Sequence, residues 1–250
     1  MHVARHPRGL PYGPYGPRHG ELMRTIVLWD IDNTLLYTGG AGSLAMARAF
    51  RDLYGVEDAF RRIEFSGRTD TAIFSDAARA HGIAAGRIPR EIARFLDAYV
   101  PHLRDALREV SGGALMPGVI DVLGALSARP DVVQGLGTGN FRRGGELKLR
   151  HFGIDGYFPA MVGGFGDDSG DRAEVIARGI ERLRDGDGAS TRVVVVGDTP
   201  QDVAAAHANG AFALAVATGR HSADALLAAG ADVALDDLAA AAGVERVICG

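Results

Sequence analysis

Apolar residues along this chain fall into two rhythms. Short unbroken runs occur at Thr25–Trp29, Val132–Leu136, Ala160–Val162, Val193–Val196 and Phe212–Val216, with a further short run at Asp232–Leu235. Between most of them apolar residues recur at helical spacing, over Val119–Ala128, Arg142–Phe152, Arg172–Leu183, Gln201–Ala208 and Ala223–Ala229. Unbroken runs suit strands buried on both faces, and their alternation with helices predicts an α/β fold. The expected architecture is a doubly wound, mostly parallel, Rossmann-like sheet. Asp185-Gly-Asp-Gly-Ala-Ser190 reads as a loop.

One interval departs from the alternation. From Thr38 to Gly113 the spacing is helical, with candidate helices at Ser43–Leu53, Thr71–Ala80 and Pro89–Val110. Pro89 suits a first helical turn, whereas Pro101 is expected to kink or end the long segment. Thr38-Gly-Gly-Ala-Gly42 and Ser111-Gly-Gly113 flank the interval as hinges. The predicted organisation is an α/β core from residues 23–37 and 114–250, with a helical cap, 38–113, inserted after the first strand and covering its tip. Residues 1–22 are rich in Pro, Gly, Arg and His and lack the apolar middle of a signal peptide. They are expected to be a disordered tail or an expression artefact, with Met23 as the alternative start.

Composition narrows the partners. A net charge of −4 gives no electrostatic case for binding nucleic acid or an anionic membrane. No apolar run approaches the roughly 18–20 residues of a membrane span. The single Cys249 excludes an internal disulfide framework and a thiolate zinc cluster, and fits a cytoplasmic location.

Candidate chemistry gathers where strands end. The first run stops at Asp30, and Asp32 follows two residues on. Ligands of open α/β sheets bind at the carboxyl ends of strands, and residues i and i+2 of a strand share a face. Two carboxylates there can divide a reaction between nucleophile and proton donor. Val132–Leu136 leads into Gly137-Thr-Gly-Asn140, where Thr138 offers a hydroxyl and the small residues let backbone N–H groups approach an anion. Val193–Val196 leads into Gly197-Asp-Thr-Pro-Gln-Asp202, whose Asp198 and Asp202 are hard oxygen donors suited to Mg²⁺. Of 27 basic residues all but Lys148 are arginine, so this position either needs a compact ammonium or kept it by chance. Asp167 and Asp168 are read as loop residues, and His151 and His207 as helix-face residues.

Asp30-Ile-Asp-Asn-Thr34, Thr138 after a strand, Lys148 and Gly197-Asp-Thr-Pro-Gln-Asp202 together resemble the four motifs of the haloacid dehalogenase superfamily, in order. The helical insertion resembles its C1-type cap. The resemblance spans about Ile26 to Val216 and is nearest to phosphoglycolate phosphatase-like and β-phosphoglucomutase-like members. It implies a Mg²⁺-dependent phosphatase for a small phosphorylated metabolite, or alternatively a phosphomutase. Asp30 would attack phosphorus and Asp32 would act as acid and base. Thr138, Gly139 and Asn140 would hold the phosphoryl group. The metal would be bound by Asp30, the Asp32 main-chain carbonyl and Asp198, with Asp202 supporting or ligating through water. The third motif departs from the family pattern, which has a Lys-Pro pair where this chain has Ser169-Gly-Asp-Arg-Ala173. Lys148 is favoured over Arg172 for that role, as the only lysine. Phe65-Ser-Gly-Arg-Thr-Asp70 resembles a substrate-facing cap loop, in which Arg68 would bind a carboxylate or second phosphate, or stay a solvated loop arginine.

Overall fold

The computed structural model of the protein describes residues 4–5, 24–184 and 191–250. The expectation for residues 1–22 lies outside the described residues apart from β1 (Ala4–Arg5), and that for the 185–190 loop lies outside them entirely. β2 (Arg24–Trp29) leads through a turn into the two-residue β3 (Leu36–Tyr37). Three helices follow, α1 (Ala41–Tyr54), α2 (Asp70–Ala80) and α3 (Ile88–Glu109), and the chain returns through β4 (Ala114–Leu115). Then come α4 (Val119–Ser127), β5 (Val132–Gly137), α5 (Arg142–His151), β6 (Gly163–Gly164), α6 (Arg172–Leu183) and β7 (Thr191–Gly197). α7 (Pro200–Ala208), β8 (Phe212–Val216), α8 (Ala223–Ala228), β9 (Val233–Leu235) and α9 (Ala241–Cys249) complete the fold.

The sheet runs β1-β9-β8-β7-β2-β5-β6, parallel except for β1 against β9. Its central strands are buried on both sides, which is why they read as unbroken apolar runs. Val27 and Trp29 enter one core cluster with Val194 and Val196, while Ile26 and Leu28 enter another with Val193 and Val195. Each such side chain contributes about 1.5–3 kcal/mol by leaving water. α1–α3 hold a third cluster around Phe50, Phe74, Phe95 and Tyr99. β3 and β4, the two strands joining these helices to the sheet, pair antiparallel with each other.

Two expectations about local structure are corrected. The run Ala160–Val162 is not a strand. Pro159–Met161 forms a turn in which Ala160 and Met161 take left-handed backbone angles (φ 57° and 49°), and the ladder begins at Gly163, whose position admits no side chain because a Cβ would lie 2.1 Å from the Leu136 carbonyl oxygen. Pro101 does not end its segment, since α3 runs from Ile88 to Glu109. Pro101 and Asp97 both lie on the exposed face, where water can satisfy the carbonyl that proline leaves without a donor. Phe95, Tyr99 and Leu103 keep the other face packed.

Candidate active site

The β2 ladder ends at Trp29, and the Asp30 N–H donates to the Val196 carbonyl at 2.9 Å, pinning the residue between the tips of β2 and β7. Ile31 is buried, Asn33 adopts a left-handed conformation (φ 61°), and Leu35 and Leu36 N–H groups return to the Ile31 carbonyl. Asp32 therefore sits in a tight turn rather than on the strand. It is this turn, not strand alternation, that places both carboxylates on one cavity.

The two carboxylates meet different cations. Arg172, the first residue of α6, donates from Nη2 to Asp30 Oδ1 (2.8 Å), Asp202 Oδ1 (2.7 Å) and the Gly137 carbonyl (3.0 Å), and from Nε to Asp202 Oδ1 (3.0 Å). Lys148 donates to Asp32 Oδ2 and Asn140 Oδ1, each at 2.6 Å. Lys148, favoured from the sequence for the third-motif role, thus reaches the cavity at Asp32, and Arg172 is the cation beside Asp30. The reason is positional. Arg172 opens its helix at the strand tips, whereas Lys148 is about two turns into α5 and emerges on the Asp32 side.

Asp30, Asp198 and Asp202 are buried, with one carboxylate oxygen from each lying within 4.8 Å of the others. Burial pushes Asp30 up to about 6; the Arg172 charge opposes this and Asp202 adds to it. Asp198 is pushed up to about 8 by burial and by the neighbouring Asp202, Asp30 and Asp32 carboxylates. Its opposing contact is a long one, from the Thr34 hydroxyl at 3.4 Å. With all three ionised against one guanidinium, two negative charges would be uncompensated, which is why Asp30 and Asp198 are pushed up, and the donor set fits a divalent cation. Asp202 is the most committed of the three. One oxygen takes both Arg172 donors, and the other takes the Thr199 N–H (3.1 Å) and hydroxyl (2.6 Å) in a capping box that opens α7.

On the opposite side, Asn140 Nδ2 donates to Asp32 Oδ2 and to the Thr138 hydroxyl, each at 2.8 Å. Thr138 is fully buried, and Gly139 and Asn140 line the cavity in front of it. Gly139 lies directly against the cap loop, where a Cβ would stand 2.2 Å from the Arg68 carbonyl oxygen. Gly139→Ala is accordingly expected to displace the 65–70 segment, raising KM at least severalfold and shifting protease sensitivity to α2. Unchanged KM would contradict this packing.

The cavity holds about 410 Å³ between the sheet tips and α1–α3. Asp30, Asp32, Lys148, Arg172 and Asp198 line it from below, and Ser43, Met46, Arg68, Asp70 and Tyr99 from the cap side. Arg68 is held by Asp76 (2.6 Å) while still lining the cavity. Thr38 also lines it. Asp167 accepts the Arg142 N–H, and Asp168 pairs with Arg182 at 2.6 Å. Both serve their loop, and His207 pairs with Asp232 on the surface. Sequence reasoning missed Asp70 and Arg220 as cavity residues. Asp70 had a signal, because it follows the helix-capping Thr69 within the quoted cap-loop motif.

The haloacid dehalogenase-like hydrolase profile matches residues 25–210, and the chain belongs to that family. It is therefore a hydrolase. Solved structures with the same fold include CbbY from Rhodobacter sphaeroides in complex with phosphate, at 20% identity and TM-score 0.63, covering 87% of this chain and 95% of that one. A predicted phosphoglycolate phosphatase from Haemophilus somnus matches at 18% identity and TM-score 0.59, covering 90% and 99%. A Thermotoga maritima protein provisionally assigned as a β-phosphoglucomutase matches at 25% identity and TM-score 0.57, covering 90% and 100%. No curated protein matches the sequence. Among the described residues no helix is long and apolar enough to cross a membrane.

Proposed function

We propose that the protein is a Mg²⁺-dependent phosphatase acting on small phosphate monoesters through an aspartyl phosphate on Asp30. The observation that carries this reading is the separation of two carboxylates around one cavity, Asp30 with Arg172 among the acidic trio and Asp32 with Lys148 and Asn140. A bound divalent cation would neutralise the trio and the phosphoryl oxygens, and Asp30, Asp198 and the Asp32 main-chain carbonyl are the groups that would hold it. Asp202, saturated with donors, would support Arg172.

In this reading Asp30 attacks phosphorus as the bond to the leaving oxygen breaks, and Asp32 delivers its proton to that oxygen. Water then attacks phosphorus, returns a proton to Asp32, and frees Asp30 and inorganic phosphate. Arg172 counters the approach of one anion to another, which at about 4 Å costs roughly 4 kcal/mol per charge pair at an effective dielectric of 20. The Thr138 hydroxyl accepts from Asn140 and donates to nothing among the described residues, so its proton is available for a phosphoryl oxygen. The cavity volume suits a small metabolite. The net charge of −4 agrees with a small-molecule substrate rather than nucleic acid.

The test is hydrolysis of a phosphate-ester panel with and without Mg²⁺. Stoichiometric free phosphate supports a phosphatase, isomer formation from a sugar phosphate indicates the mutase reading of the Thermotoga-like relative, and inertness toward every ester contradicts both. Metal binding has its own readout. Mg²⁺ at about 100-fold above its Kd should add about 2.7 kcal/mol, roughly 5–10 °C in Tm for a chain of this size. Protons compete for the same oxygens, so the shift should be larger near pH 8 than near pH 6, the positions of Asp198 and Asp30 without a cation. Asp198→Asn should abolish the shift; an equal shift in that variant would place the ion elsewhere.

A further inference from the structure

Asp70 is a buried carboxylate that the reaction just described does not use. It is the first residue of α2, yet its side chain turns away from that helix, whose N-terminus is capped by Thr69 instead (Ala72 N–H to Thr69 Oγ1, 3.1 Å). Asp70 Oδ2 accepts the Phe141 N–H at 2.8 Å, and the Asp70 N–H donates to the Gly139 carbonyl at 2.7 Å. These two bonds clamp the main chain on both sides of Asn140, at the start of the helix that carries Lys148. The neighbouring cap residues hold the same side: Thr69 Oγ1 donates to the Gly170 carbonyl (3.1 Å) and Thr71 Oγ1 to the Gly166 carbonyl (2.6 Å).

Among the described residues, Asn140 and Lys148 are the two whose side-chain nitrogens donate to the Asp32 carboxylate. They also bond to each other, Lys148 Nζ to Asn140 Oδ1. The chain from the cap to Asp32 is therefore continuous: Asp70, the Gly139–Phe141 main chain, Asn140 with Lys148, and Asp32. Lys148 and Asp70 also feel each other, since the ammonium charge is the strongest influence favouring an ionised Asp70 against its burial.

We infer that Asp70 is a positioning residue through which the seated cap fixes the Asn140–Lys148 pair, and with it the orientation of Asp32 toward the leaving oxygen. The inference rests on the reading of Asp32 as the proton donor. It makes acid catalysis depend on cap seating. With the cap lifted, Asp30, Arg172 and Asp202 would keep their mutual contacts, while the loop under Asp32 would lose two of its anchors.

The experiment compares two esters that demand different amounts of proton donation. p-Nitrophenyl phosphate releases a stable phenolate, whereas 2-glycerophosphate releases an alkoxide that must be protonated. The readout is the ratio of kcat/KM for the first to that for the second, in excess Mg²⁺. Asp32→Asn calibrates the assay, and its ratio should rise by about 10²-fold or more. Asp70→Ala should raise the ratio on the order of tenfold, as an acid misplaced rather than removed. Asp70→Asn, whose amide oxygen can still accept from Phe141, should recover part of that change, and it serves in place of Asp70→Ala should the latter be insoluble. A purely structural role would lower both substrates together and leave the ratio unmoved. An unmoved ratio in both Asp70 variants alongside a raised ratio in Asp32→Asn would overturn the inference. An unmoved ratio in Asp32→Asn would instead overturn the acid assignment beneath it.

Discussion

Replacing Asp30 by asparagine is expected to stop turnover, by a factor on the order of 10⁴ or more in kcat, without unfolding the protein. The amide oxygen of asparagine can still accept from Arg172, so the bridge from Arg172 to Asp202 keeps its geometry. The amide carries no charge to attack phosphorus. Removing a buried carboxylate whose pKa is pushed up by burial and by Asp202 also relieves repulsion within the trio. Tm without metal should therefore hold or rise while activity disappears. A variant that retained wild-type-like turnover would show that Asp30 is not the nucleophile. One that lost activity only through unfolding would show a drop in Tm instead.

The second large effect concerns Arg172. Its side chain is 9% exposed and is the cation hydrogen-bonded to both Asp30 and Asp202. Arg172→Met leaves buried carboxylates without that partner, and breaking such a pair costs about 3–5 kcal/mol. The loss should be read by denaturant or thermal unfolding in the absence of divalent cations. Mg²⁺ should restore part of it, because a cation in the trio supplies some of the missing charge. Turnover should stay low even then, since the guanidinium beside Asp30 is gone. Arg172→Lys should recover stability more than activity: an ammonium carries the charge but not the planar fork that reaches Asp30, Asp202 and Gly137 together. Equal activity in Arg172→Lys and the wild type would show that charge alone suffices.

The alternation of apolar runs and helical spacing made the parallel sheet legible, because strands buried on both faces leave no polar positions to blur them. Asp30, Asp198 and Thr138 were legible for the same reason: each marks the point where such a run breaks. The run at Ala160–Val162 misled because the edge strand that follows it is built of Gly163 and Gly164, residues that strand preference disfavours and that crowding requires. α9 escaped notice because its apolar residues follow an alanine-rich stretch without a capping signal, although Val244 and Ile248 enter the core. The placement of Lys148 at Asp32 and Arg172 at Asp30 could not be read from composition. Which cation reaches Asp30 depends on where α5 and α6 begin relative to the strand tips, a matter of packing distances. The motif Phe65–Asp70 pointed toward the cavity, but the partners of Asp70 could not be read from it, since Gly139 and Phe141 lie some 70 residues further along the chain.

The most direct test of the central claim is chemical trapping of the intermediate. The enzyme is mixed with Mg²⁺ and a substrate, quenched in denaturant, reduced with borohydride and mapped by peptide mass spectrometry. Borohydride converts an aspartyl phosphate to homoserine, so a substrate- and Mg²⁺-dependent conversion confined to position 30 is the predicted result. Conversion at another carboxylate, or none while turnover proceeds, would contradict the account.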